Sequence, residues 1–387
     1  MIKFGISILL AERPDWRKQK IALVTNNAAT TENDIPSHLA LIKAGFNIVK
    51  LFSPEHGFNT KGADGEKMPD GFDVATKLPI ISLYSEKLKP NATDLADVDL
   101  VLFDIPDIGA RFYTYLWTLT YLIEACKEYN KPLIILDRPN PIGLDLAQIE
   151  GPMLDELNCS SFIGRWDIPL RHSCTLGELA LYFNDIKNIN ASVTVIKCEQ
   201  LSRSDFFPNW GINFTPTSPA INSFNAAILY PGLGMLEATN LTEGRGTNLS
   251  FQMVAAPWLM HASEIQKQLE DVLHIEAITT IPKEAKFAGE ICNGLYISPK
   301  NYNEFDAVKT GLLLIKLIKD SHPLHFKWQP YLTNANPDGT KHLDKLLGIA
   351  NSEDLFELPL SDFESTINNL CTVSAFQEKV KPYLLYE

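Results

Sequence analysis

Several absences bound this chain of 387 residues before any of it is read for chemistry. Its six cysteines, Cys126, Cys159, Cys174, Cys198, Cys292 and Cys371, stand far apart and form no CxxC pair. That spacing offers neither a zinc ribbon nor a small disulfide framework, and it suits buried free thiols in a reducing compartment. No apolar run approaches the roughly 18 residues needed to cross a bilayer, so membrane insertion is not expected. Positive charge is in deficit: 34 Lys and Arg against 47 Asp and Glu leave a net charge of −13, spread along the chain rather than gathered in blocks. Such a surface is a poor partner for nucleic acid or anionic lipid. The 21 Gly and 24 Pro fall short of low-complexity levels, which excludes fibrous and disordered classes. Met1 to Ala11 carries one Lys and a short apolar stretch interrupted by Gly5 and Ser7, with Glu12-Arg13 directly after it. That is not a signal peptide, so the expected location is cytoplasmic, or periplasmic or secreted if a leader has been removed.

What remains is the composition of an ordinary enzyme, long enough to exceed the roughly 250–300 residues of one hydrophobic core. The first half alternates short, mostly apolar runs with helix-like periodic segments. The runs at 21–25, 47–52, 99–104 and 132–137 are apolar on both faces, as buried parallel strands are. Between them, 37–45 and 113–129 repeat at helical spacing. Strand, helix, strand, helix predicts an α/β fold with an open, Rossmann-like parallel sheet. The Pro- and Asn-rich stretch 208–225 reads as a linker, and the segments beyond it predict a smaller α+β domain. The expected domains are 1–219 and 220–387.

Polar residues gather where each first-half strand ends. The chain leaves the strands as Thr25-Asn26-Asn27, as Ser53-Pro54-Glu55-His56-Gly57, as Asp104-Ile-Pro-Asp107, and as Asp137-Arg138-Pro139-Asn140. In a parallel sheet all four ends open on one side, where open α/β sheets bind ligands. Glu55-His56 is the sharpest element, because Pro54 stiffens the turn before it and Gly57 permits an unusual backbone angle after it. A carboxylic acid presented there in a desolvated cleft can be raised from about 4.3 towards 6–7, the range of a general acid near neutral pH. Arg111 and Arg138 could grip a carboxylate, and Asp107, Tyr113, Asn140, His172, Glu243 and Arg245 lie in polar stretches beside glycines or helix starts. Each has a plain structural alternative, since Asp after a strand caps helices and buried Arg is usually paired. Missing motifs prune the rest. There is no GxGxxG, no GxxxxGK[ST] and no GxSxG, so neither dinucleotide, P-loop nor serine-hydrolase chemistry is indicated, and no cofactor is expected. His56, Asp104, Asp107 and Asp137 lack the spacing of a metal site, and no metal is expected.

Taken in order, SPEHG at 53–57, GADGEK at 62–67, LFDIPDIGARFYTY at 102–115, LDRPNPIG at 136–143, EGPML at 150–154, IPLRHSCTLGELA at 168–180, YPGLGMLEATNLTEGRGT at 230–247 and AAPW at 255–258 resemble the bacterial exo-β-N-acetylmuramidase family. The resemblance implies a Rossmann-like catalytic domain, an auxiliary C-terminal domain closing the cleft, and release of N-acetylmuramic acid from the non-reducing end of peptidoglycan fragments. It puts the family's essential glutamate on Glu55 and marks His56, Arg111, Arg138, His172, Glu243 and Arg245 as cleft residues. Ser53, Asn59-Thr60, Pro106 and Ser173-Cys174 depart from the family's usual residues, which bears on substrate selectivity. Glu55 would protonate the leaving oxygen, with His56 tuning it. The second group would be Glu66, Asp107, Glu243 or the substrate's own N-acetyl oxygen. An arginine, Arg111, Arg138 or Arg245, would meet the negative lactyl group of the saccharide substrate. The alternatives are a metal-dependent hydrolase using the strand-end aspartates and a muropeptide-binding protein without catalysis.

Overall fold

In the computed structural model, residues 2–260 and 262–387 are described, Ala262 by its backbone alone. The first half holds a seven-stranded sheet built from β1 (Ile21–Thr25), β2 (Ile48–Ser53), β3 (Gly71–Phe72), β4 (Pro79–Ser82), β5 (Leu100–Asp104), β6 (Leu133–Leu136) and, after the short antiparallel pair β7 (Glu150–Met153) and β8 (Pro169–Arg171), β9 (Val193–Ile196). Their order across the sheet is β3-β4-β2-β1-β5-β6-β9. Every pairing is parallel except β3 with β4. The four apolar runs read from the sequence are β1, β2, β5 and β6. Residues of β1 and β5 are buried throughout, as strands covered on both faces must be. The missed edge strand β3 and its neighbour β4 are short and not fully buried, so neither carries the apolar run that marks a central strand.

The sheet reverses its direction of growth between β1 and β5, which opens a crevice at their C-terminal ends. Helix Tyr115–Glu128 starts there and runs back under the sheet with ten of its residues buried, Trp117 and Leu119 completely. Each such side chain contributes roughly 1.5–3 kcal/mol when withdrawn from water. Helix Leu176–Ile186 packs beside it, opened by a capping box in which Thr175 accepts from the Glu178 N–H and Glu178 accepts from the Thr175 N–H.

The second half is α+β: strands β10 (Met253–Ala256), β11 (Leu273–Thr280) and β12 (Cys292–Pro299) form an antiparallel sheet of order β10-β12-β11. Against it lies helix Phe224–Leu233, and the long helix Ala307–Ser321 packs on that helix. One buried apolar cluster runs from Ala22 and Phe103 in the first half through Leu229 and Leu312 to Val380 in the second. The chain also returns to the first sheet: the Tyr386 hydroxyl donates to Asp137 at 2.6 Å, and the Leu385 N–H donates to Glu178 at 2.9 Å.

The two second-half helices cross at a pair of glycines. A Cβ on Gly311 would stand 2.5 Å from the backbone of Gly232, and one on Gly232 would stand 2.1 Å from the carbonyl of Ala307. Backbone cannot yield as a side-chain tip can, so Gly311→Ala should destabilise the protein by about 1–3 kcal/mol through overpacking. A lowered thermal midpoint checks this, and an unchanged midpoint contradicts it.

Candidate active site

A cleft of about 880 Å³ lies between the C-terminal ends of the first sheet and the loops of the second half. It falls within the roughly 300–1,000 Å³ of small-ligand sites. Glu55 and His56 follow β2, Tyr84 follows β4, and Tyr113 and Thr114 precede the long helix after β5. Ser218 and Ile221, within the stretch expected to be a linker, form another wall, and Glu237, Arg245, Tyr331 and His342 come from the second half.

The turn after β2 is strained as its sequence suggested: His56 and Gly57 both take positive φ, 65° and 71°. For a histidine that conformation costs on the order of 1–2 kcal/mol, which the surroundings must supply. His56 Nδ1 bonds the carbonyl of Gly62 at 3.0 Å, closing the turn on itself. Glu55 is 4% exposed, and both its oxygens are held. One accepts from the Gly65 N–H at 2.9 Å and the other from the Thr114 hydroxyl at 2.7 Å. Burial raises its pKa, and the negative charge of Asp64 adds to the rise, against the opposing pull of His56, Thr114 and Gly65.

Asp64 shares the cleft and is pushed the other way. Burial would raise it, but Arg245, His56, the Tyr331 hydroxyl and His342 together hold it below the ordinary carboxylate value. The Tyr331 hydroxyl donates to Asp64 Oδ2 at 2.8 Å, and Arg245 stands 3.5 Å from the same oxygen. Arg245 also donates to Glu237 at 2.7 Å and to Glu243 at 2.6 Å, so one guanidinium serves three carboxylates. His342 meets Glu237 at 3.1 Å and stacks on Tyr331. The Asn334 N–H donates to the carbonyl of Gly65 at 2.7 Å, locking the loop that carries Asp64 against the second half.

Of the residues singled out in the sequence, Glu55, His56, Tyr113 and Arg245 line this cleft, with Glu243 one layer behind. Six do not line it. Glu66 is exposed on the outer side of its loop. Arg111 is completely buried, donating to the carbonyls of Pro152, Ile168 and Leu346 at 2.7–3.0 Å, so it clamps three chain segments instead of gripping a ligand. Arg138 pairs with Asp104 through two bonds and caps the carbonyl of Thr30. Asp107 accepts from the Gly109 N–H and faces His172, which is wholly buried. Asn140 spans Ile142 and Cys174. Asp137 is taken up by Thr175, Gly177 and Tyr386, so the strand-end aspartates are spent on the fold, and among the described residues no three His, Cys, Asp or Glu gather as metal ligands do. Asp64, Tyr84, Thr114, Tyr331 and His342 were not singled out. Asp64 stands two residues before Glu66 in a motif already noted, whereas Tyr331 and His342 follow no pattern that marks them.

Two carboxylates with opposite displacements in one deep cleft on an α/β scaffold are the equipment of a glycosidase, and the chain belongs to that class. Its particular kin are specific. Residues 21–225 match the N-terminal and residues 228–386 the C-terminal model of exo-β-N-acetylmuramidase NamZ, and the chain belongs to this family. It is 35% identical, over all of its own length and 91% of the relative's, to the peptidoglycan β-N-acetylmuramidase NamZ of Bacillus subtilis strain 168. Crystal structures of two DUF1343 family proteins of Bacteroides fragilis superpose with TM-scores of 0.86 and 0.76 at 27% and 28% identity, covering 100% of this chain and 99% of theirs.

The reassignment of Arg138 is checkable. Arg138→Met leaves Asp104 buried without its cation, which should cost about 3–5 kcal/mol. The expected reading is a marked fall in thermal midpoint; full stability with lost substrate affinity would restore Arg138 to the site.

Proposed function

We propose that this protein releases N-acetylmuramic acid from the non-reducing end of peptidoglycan fragments, with Glu55 as general acid and Asp64 as its ionised partner. The observation that carries the reading is the setting of these two carboxylates in one cleft, Glu55 buried without a cation in contact and Asp64 bonded to Tyr331 and Arg245. A glycosidic oxygen departs only if protonated, so the acid must hold its proton near neutral pH, and burial beside the Asp64 charge does that for Glu55. The oxocarbenium-like transition state then gains positive charge, which favours a neighbour that stays anionic. Asp64 Oδ2 is occupied by Tyr331 and Arg245, and no protein hydrogen bond engages Oδ1 among the described residues, which leaves that atom for the sugar face or for water. Asp64 thereby takes the place that Glu66, Asp107 and Glu243 were expected to fill. His56, fixed by Gly62, adjusts the charge of Glu55 from the adjacent position.

The family departures at Ser53, Asn59, Thr60, Pro106, Ser173 and Cys174 do not line the cleft, so none of them removes catalytic equipment. The peptidoglycan relative in B. subtilis supports the substrate class.

Glu55→Gln retains the acceptor for Thr114 or Gly65 but cannot supply a proton. Turnover of a para-nitrophenyl β-N-acetylmuramic acid substrate should fall by about 10²–10⁴ with little change in thermal midpoint. Near wild-type turnover would sink the assignment. The pH profile has a definite sign. Activity should decline as pH rises through the raised pKa of Glu55, which loses its proton, and on the acid side only below the ordinary carboxylate range of about 4, where Asp64 is protonated. Asp64→Asn should lower kcat and abolish the acid limb; a profile that keeps both limbs contradicts its role.

A further inference from the structure

Muramic acid differs from its sister amino sugar by a lactyl carboxylate, and the cleft must offer that charge a partner. Its inner end cannot. Three carboxylates, Asp64, Glu237 and Glu243, gather around Arg245 and Lys286 there, and Arg245 is already shared among all three. With three carboxylates to two cations the inner end disfavours an anion, and the lactyl group is driven towards the rim.

That rim is the loop joining β11 to β12, of which residues 280–285 line the cleft apart from the buried Pro282. The loop is built firmly. Ala285 and Phe287 both hold positive φ, 62° and 59°, a conformation that side chains other than glycine seldom adopt without restraint. The Lys283 N–H donates to the carbonyl of Gly246 at 3.0 Å, which fixes the loop to the residue after Arg245. Lys286 is spent as its anchor, donating to the carbonyls of Leu236, Glu237 and Leu241 at 2.8–3.2 Å. Lys283, three residues earlier, is exposed and lines the cleft, and its ammonium has no carboxylate within ion-pair distance among the described residues. With Arg245 committed, it is the cation of the cleft wall left for a ligand. Thr247, Asn248 and Thr280 offer neutral polar groups on the same rim, and Glu284 is the acidic residue of the loop that lines the cleft.

We infer that Lys283 is the specificity-determining residue for the substrate's carboxylate, held at the rim by a loop anchored through Lys286 and Gly246. The inference rests on the proposed muramidase reading. It assigns to a lysine of the second half the recognition that the sequence had suggested for Arg111, Arg138 or Arg245.

The test pairs a change in the protein with a change in the ligand. Wild type, Lys283→Met and Lys283→Arg are assayed on para-nitrophenyl β-N-acetylmuramic acid and on its neutral lactyl amide, with Glu284→Gln as a neighbouring control. Wild type should prefer the acid, and Lys283→Met should lose about tenfold or more in kcat/KM on the acid, through KM, while its activity on the amide stays within twofold. Lys283→Arg should keep most of the preference, and Glu284→Gln should not reduce it. Equal effects of Lys283→Met on acid and amide, or none on either, overturn the inference. Calorimetric titration of free N-acetylmuramic acid and its amide into the same proteins reads the contact without turnover. A wild type that binds the acid through Lys283 but hydrolyses nothing therefore fails the catalytic reading alone, whereas a wild type that hydrolyses with no dependence on Lys283 fails this inference alone.

Discussion

One guanidinium holds the site together. Arg245 stands between Asp64 from the first half and Glu237 and Glu243 from the second, beneath the rings of Phe251 and Tyr331. Three carboxylates that close, two of them buried and Asp64 half-buried, would repel one another, and burial would favour protonation of at least one were the cation absent. Because Arg245 keeps Asp64 ionised, Asp64 can raise Glu55; because Asp64 is tied to Arg245 and Tyr331, its loop is drawn against the second half. The protonation state of Glu55 and the closure of the cleft are thus two results of the same charge arrangement.

The sequence made the parallel sheet legible because fully buried strands are apolar on both faces and need no partner to be recognised. It made Glu55 and His56 legible because a strand end, a proline and a glycine converge on them. The strands β3 and β4 and the β7–β8 pair were missed, being short and built from mixed residues. The arginines misled for a physical reason: in one dimension, an arginine that clamps three carbonyls looks like one that awaits a ligand. Arg111 and Arg138 differ from Arg245 only in what the fold places around them. Tyr331 and His342 were illegible because their place at the site depends on packing between halves distant in sequence, and no local periodicity records that.

The same contrast runs through the lysines of the β11–β12 loop. Lys286 has exchanged water for backbone carbonyls and acts as a structural cation, while Lys283 keeps its hydration at the rim. A net charge of −13 says little about such a site, since the field a ligand meets is set by a few groups within a Debye length of about 8 Å.

The return of the chain to the first sheet through Leu385 and Tyr386 carries a mechanical meaning. The second half leaves the first near residue 225 and is fastened to it again a few residues short of position 387, with the Asn334–Gly65 bond as a third rivet beside the active site. A body pinned at several separated points has no single axis about which to swing. The jaws are therefore set before the sugar arrives, and the cost of ordering the site is met once, during folding, instead of at every catalytic cycle.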